Sequence, residues 1–243
     1  MDLSYMDQNL AAVRRKMEAA CQKSGNPEPL LVAAVKYTDA AHIDYLTGAL
    51  GVKNIGENRV QQLLEHWESI RREGVTFHFI GKLQSNKVKY IIDKVSLIHS
   101  VDSESLAKEI DRQAAKHDLC MDVLCEINSG REPNKSGVLP EDAPALCAAI
   151  ANLPHLRLRG FMTMAPQAED PEDARKFFRE TFRQGLDIWQ KNLHNIDRPI
   201  FSMGMSESFP VAIEEGATMV RVGRSLFREP EQTEQNDKKG ESL

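Results

Sequence analysis

The sequence predicts an α/β fold, a single (β/α)8 barrel of the TIM type with an extra helix at its N-terminus. Three observations lead there. Eight short β-rich runs alternate with helical patterns across roughly 200 residues, a repeat that fits a closed barrel better than an open sheet, which usually has fewer strands. Polar residues and glycines collect at the ends of those runs, where barrels carry their working groups. At 243 residues with 41% apolar side chains, the chain can bury one full core as one domain.

The elements follow in order. Leu3, Leu10, Val13, Met17 and Ala20 fit one helical face, and Gly25 with Pro27 supplies a stop, so the first 24 residues read as one amphipathic helix. Strands are expected near residues 30–36, 52–55, 76–80, 96–99, 121–127, 156–161, 199–202 and 218–222. Helices are expected from Asp39 to Leu50, stopping at Gly51, and from Ser103 to His117, Pro140 to Asn152 and Pro171 to Asn192, each opening near a capping residue or proline. The domain is expected to span residues 1–228. Residues 229–243 run through Glu, Gln, Asp, Lys and Gly with almost nothing apolar, the composition of a disordered tail.

Composition removes several function classes. A formal net charge of -5 provides no broad basic field for holding nucleic acid. No run approaches the roughly 20 apolar residues needed to span a bilayer, and the N-terminus reads as no leader, so a soluble cytoplasmic protein is expected. Cys21, Cys120, Cys125 and Cys147 form no CxxC pair and have no histidines at ligand spacing, so neither a disulfide framework nor a metal site is expected.

The chemistry concentrates at the strand ends, which carry Lys36, Gly56-Glu57-Asn58, Gly81, Asn128, Met162, Ser202 and Arg221-Val222-Gly223. Lys36 closes the apolar run Leu30 to Val35. A lysine facing a barrel mouth loses water, which favours the neutral amine that attacks an aldehyde; the plain alternative is a surface lysine that happens to end a strand. Ser202-Met203-Gly204-Met205-Ser206 and Gly223-Arg224-Ser225 follow the last two strands, where barrels build phosphate sites from hydroxyls and backbone amides, although each also reads as an ordinary βα turn. Arg221 sits in the last strand, and an inward-pointing guanidinium there needs a partner, either Glu214, Glu215 or another carboxylate, or a ligand's ring nitrogen. Asn58 and His78 follow as candidates to orient the lysine or a ring, against a capping Asn and a hydrogen-bonded core His. Lys135, in the turn Asn134-Lys135-Ser136-Gly137, either gates the site or is solvated.

Taken in order, Val35-Lys36, the stretch from Gly56 to Gln61, the stretch from His78 to Lys87, Lys135-Ser136-Gly137, Leu158-Arg159-Gly160-Phe161-Met162, the stretch from Ser202 to Ser206, and Met219-Val220-Arg221-Val222-Gly223 resemble the pyridoxal phosphate homeostasis protein family, small single-domain relatives of the alanine racemase barrel. The resemblance implies that pyridoxal 5'-phosphate is the cofactor. It implies that Lys36 forms the internal aldimine, that Ser206, Gly223 and the amide of Arg224 hold the phosphate, and that Arg221 faces the pyridine nitrogen, with Asn58 beside the site. Val35 and Tyr37 flank the lysine where small or hydroxyl residues are frequent in the family, and Arg224 stands where a small residue often follows the glycine.

The resemblance further implies cofactor binding in the service of vitamin B6 balance without an established reaction. No catalytic residue is therefore assigned. The expected partners are the cofactor and the apo-enzymes that need it, with the chain acting as a monomer or weak homodimer. Two enzymatic rivals remain open: an amino-acid racemase using Lys36 as base, and a Schiff-base aldolase acting on a phosphosugar.

Overall fold

The computed structural model describes residues 2–36, 38–191 and 198–229. Eight parallel strands close in sequence order into a barrel, β1 pairing with both β2 and β8. They are β1 (Leu30–Ala34), β2 (Asn54–Glu57), β3 (Thr76–Phe79), β4 (Leu97–Val101), β5 (Met121–Ile127), β6 (Leu156–Thr163), β7 (Ile200–Ser202) and β8 (Met219–Val222). The helices are α1 (Tyr5–Ser24), α2 (Ala40–Gly48), α3 (Val60–Ser69), α4 (Glu104–Lys116), α5 (Ala143–Ala151), α6 (Arg175–Trp189), α7 (Phe209–Glu214) and α8 (Arg224–Phe227). The expected barrel and N-terminal helix are present. Asn192, the expected end of α6, and residues 230–243 of the expected tail lie outside the described residues.

The capping chemistry works where the sequence places it. Asp39 accepts the amide N–H of His42 at the start of α2, and Ser103 accepts that of Leu106 at the start of α4. Three expectations change. The second strand lies two residues later than 52–55, so Gly56 and Glu57 belong to β2 rather than to the loop after it. A helix absent from the sequence reading, α3, follows at once, burying Val60, Leu63 and His66. After β3 the chain makes a 3-10 helix, Ser85–Tyr90, instead of an α-helix.

The apolar side chains form two separate clusters. The larger fills the space between the strands and the surrounding helices; the smaller contains Val32, Leu97, Leu124, Met162 and Met219. Each of these five sits on a different strand, and strand side chains alternate between faces, so the small cluster is an apolar layer inside the barrel. Two residues further along the same face come Ala34 on β1, His99 on β4, Glu126 on β5 and Arg221 on β8. On β4, β5 and β8 the inner face therefore turns from apolar to polar toward the strand C-termini. Met6, Leu10, Val13, Met17 and Ala20 bury the inner face of α1, which packs on α7 and α8. Asn9 Nδ2 donates to the carbonyls of Leu226 and Arg228, which ties α8 in place.

Gly160 occupies β6 at φ +148, and a β-carbon there would collide with the backbone of Ile200 on β7. No side-chain movement relieves that clash. Gly160→Ala is expected to cost about 3 kcal/mol or more in urea unfolding. Gly48→Ala, at an exposed helical position with open space around it, is expected to be neutral or stabilising by about 0.5–1 kcal/mol.

Candidate functional site

At the C-terminal end of the barrel lies a cavity of about 290 Å³ whose lining includes Lys36, Asn58, Glu126, Ser206, Arg221, Gly223 and Arg224. That volume sits at the lower end of small-molecule sites, roughly 300–1,000 Å³. All six expected site residues therefore meet in one place. Ile80, Met164 and Ala165 add apolar wall.

Lys36 stands two residues beyond β1, not at its end, and is exposed. The expected desolvation is thus not found, because the lysine sits on the rim. Residue 37 lies outside the described residues, but the next carbonyl, that of Thr38, is anchored: His66 Nε2 on α3 donates to it at 2.9 Å. The other ring nitrogen of His66 lies 2.5 Å from Glu57 Oε1 on β2, which is fully buried. Burial pushes the Glu57 carboxyl up, and the Glu57 side chain pushes His66 up, so the pair holds a proton between them. Neither residue was assigned a role from the sequence, although the i, i+3, i+4, i+7 spacing of Val60, Leu63, Leu64 and Trp67 marks the helix that carries His66.

Asn58 begins the segment between β2 and α3, and its Oδ1 is buried without a hydrogen-bond partner among the described residues. Its backbone is approached so closely by Gly81 that a β-carbon on the glycine would overlap the Asn58 carbonyl. Across the mouth, the Ser206 hydroxyl accepts the amide N–H groups of Gly223 at 3.2 Å and Ser225 at 3.5 Å. A β-carbon at Gly223 would meet the Ala34 carbonyl at 2.9 Å. The Arg224 side chain turns to the rim and pairs with Glu207 at 3.0 Å, both groups well exposed. Lys135 and Ser136 line the same mouth, with Lys135 exposed.

Arg221 forms the floor. It does not pair with Glu214 or Glu215, which are bound by Lys23, Arg175 and Arg179 on the outside of the barrel. Its Nη1 donates to the Ser202 carbonyl and hydroxyl at 2.7 and 2.5 Å, and its Nη2 to the Thr163 carbonyl at 3.0 Å. Burial lowers its pKa to about 10, which still leaves it a cation at neutral pH.

Behind Arg221 runs a chain of hydrogen bonds. Ser202 Oγ lies 3.0 Å from His99 Nδ1, His99 Nε2 3.1 Å from His78 Nδ1, and His78 Nε2 3.0 Å from Asn54 Oδ1. An amide oxygen can only accept, and a neutral imidazole donates from one nitrogen and accepts at the other, so the direction is fixed from the Asn54 end. Ser202 gives its proton to His99, His99 to His78 and His78 to Asn54, which needs both histidines neutral. Burial lowers both accordingly, His78 to about 4 and His99 well below its ordinary value. His78 is therefore a core residue outside the cavity lining, not a group that orients the lysine.

The residues fit an anionic ligand bearing an aldehyde and an aromatic ring: an amine at the rim, hydroxyl and amide groups opposite, an orphaned amide oxygen, and a cation on the floor.

Comparison with known proteins decides the family. The sequence model of the alanine racemase N-terminal domain matches residues 8–229. The pyridoxal phosphate homeostasis protein of Aquifex aeolicus (strain VF5) is 42% identical over 224 residues, covering 91% of this chain and 97% of that one. The chain belongs to the pyridoxal phosphate homeostasis protein family. PipY of Synechococcus elongatus PCC7942 has a similar structure both without PLP, with TM-score 0.80 and 31% identity over 90% of this chain and 98% of PipY, and with PLP bound, with TM-score 0.77 and 29% identity over 91% and 99%. Alanine racemase of Clostridium difficile 630 shares the fold at TM-score 0.72 and 15% identity, covering 95% of this chain and 58% of that one. Among the described residues no helix is long and apolar enough to cross a membrane.

The neutral histidines make stability depend on pH. Below about 6.5 the unfolded chain binds protons that native His78 refuses down to about 4, so stability is full above pH 6.5 and falls as pH drops toward 4. One such histidine contributes a slope approaching 1.4 kcal/mol per pH unit. His78→Asn is expected to flatten urea-unfolding stability between pH 6.5 and 4.5 by about 1 kcal/mol per pH unit. An unchanged slope would remove the neutral assignment.

Proposed function

We propose that the chain binds pyridoxal 5'-phosphate in the barrel mouth and serves intracellular vitamin B6 homeostasis as a carrier, delivering the cofactor to apo-enzymes or scavenging it, without turnover of its own. One observation carries this reading: a single cavity brings together Lys36, Asn58, Ser206, Arg221, Gly223 and Arg224. The names of the relatives and the PLP bound to PipY support it.

When bound, pyridoxal phosphate supplies an aldehyde that condenses with amines and a ring that accepts electron density. Lys36 offers the amine that attaches it. The Ser206 hydroxyl, with Gly223, whose amide donates to it, and the amide of Arg224 would hold the phosphate, while the Arg224 side chain stays with Glu207 at the rim. Arg221 presents a permanent donor to the ring nitrogen. A group that keeps its own proton does not encourage protonation of the ring, so the ring stays a weak electron sink. That arrangement favours retention over carbanion chemistry.

The functional unit in this reading is the barrel of residues 1–228, acting as a monomer or weak homodimer. Four free cysteines are consistent with a reducing cytoplasm.

Borohydride reduction of the protein with pyridoxal phosphate, followed by peptide mass analysis, is expected to leave a pyridoxyl group on Lys36 and none in Lys36→Ala. Absence of the adduct after adding the cofactor would sink the reading and return the phosphosugar aldolase. Incubation with alanine in deuterium oxide is expected to give no Lys36-dependent exchange at the α-carbon; exchange lost in Lys36→Ala would make the protein a racemase-like enzyme instead.

A further inference from the structure

Glu126 is the group in the cavity that the reading above leaves without a task. It is 2% exposed yet lines the cavity from β5, and its Oε2 is buried with no hydrogen-bond partner among the described residues. Leaving a buried carboxylate oxygen unpaired is costly. A neutral carboxyl escapes most of that cost, but its proton then needs an acceptor.

The surrounding charges define the balance. Arg221 on β8 attracts the carboxylate, but the hydrogen bonds its Nη groups make go to Ser202 and Thr163 and not to Glu126. Lys82, after β3, also favours ionisation, while Asp102, just past β4, opposes it. Burial is the largest influence and lifts the Glu126 pKa to about 7. The partner strand β6 faces it with Met162, which carries no charge.

Resting on the cofactor reading, we propose that Glu126 is a ligand-positioning residue: a neutral carboxylic acid that donates a hydrogen bond from the cavity floor to an acceptor on the edge of the bound pyridine ring. Arg221 and Glu126 then offer donors from two strands, and the floor presents no anion to a ligand that is itself anionic. An ionised Glu126 loses the donor and repels the ligand. Binding therefore draws a proton onto Glu126, and affinity falls as pH rises above 7.

The probe is pyridoxine 5'-phosphate, which lacks the aldehyde and so cannot react with Lys36. Calorimetry would follow its binding from pH 6.5 to 8.5 in wild type, E126Q and E126A, in two buffers of different ionisation enthalpy. E126Q keeps a donor that does not titrate. It is expected to bind within about threefold of wild type at pH 6.5, while wild type weakens by about tenfold more than E126Q for each pH unit above 7.5. At pH 8 wild type is expected to take up close to one proton more than E126Q. E126A is expected to bind about tenfold more weakly at pH 6.5. Parallel pH profiles with equal proton uptake would overturn the role of Glu126 while leaving the cofactor reading intact. Failure of wild type to bind the probe or pyridoxal phosphate at any pH would overturn both. Thermal unfolding checks the fold of each variant; should E126Q not fold, absence of proton uptake by wild type at pH 8 overturns the proposal by itself.

Discussion

The structure turns on a buried guanidinium. Arg221 is 3% exposed inside the barrel, where a lone cation is among the most expensive groups a protein can bury. Its surroundings are built to absorb that cost without discharging it on a carboxylate. The Thr163 carbonyl closes β6 onto it, and Ser202 gives it a carbonyl and a hydroxyl from β7. His99 and His78 extend the chain through β4 and β3 to Asn54 on β2. A slip of one residue in any of these strands would turn the polar side chain outward and break the sequence of donors. Register and electrostatics thus specify one another around the barrel.

The same arrangement separates the two halves of the site. Strands supply the floor, which is rigid and desolvated, and the segments after them supply the rim, where Lys36 and Arg224 are exposed. Rigidity at the rim comes from outside the strands: the Glu57 and His66 pair holds the Thr38 carbonyl and so fixes the chain just past the lysine. In the carrier reading proposed above, a floor of buried donors and an exposed lysine at the rim suit reversible capture of an aldehyde better than protection of a carbanion from water.

Legibility in the sequence follows the range of the interactions. Lys36, Ser206 and Gly223 are legible because each sits in a short motif just after a strand, and barrels put their chemistry there. Arg221 is legible as a residue of the last strand that would need a partner if it points inward, but its partners are not: Ser202 lies 19 residues away and His99 a further 103 from Ser202. No local pattern encodes such a pairing. Glu57 falls in a loop when the second strand is expected at 52–55, two positions before β2, and that expectation also hides α3 and His66. Glu126 stands inside a run of apolar strand residues, and sequence gives no means of seeing that one of its oxygens has no partner. The strand order and the alternation of faces were readable; the hydrogen bonds that choose among polar residues on the inner face were not.

Protonation states complete the argument. Burial penalises whichever form of a group is charged, so it keeps His78 and His99 neutral and lifts the Glu126 pKa to about 7. Both effects drive the barrel interior toward neutrality. Arg221 resists, because its ordinary pKa is so high that even a lowering to about 10 leaves it charged. Arg221 therefore stays a cation, and none of its hydrogen bonds to Ser202 and Thr163 goes to a carboxylate that would cancel its field in the cavity. A ligand carrying negative charge completes that balance, and its arrival is the step for which the interior has been left electrostatically unfinished.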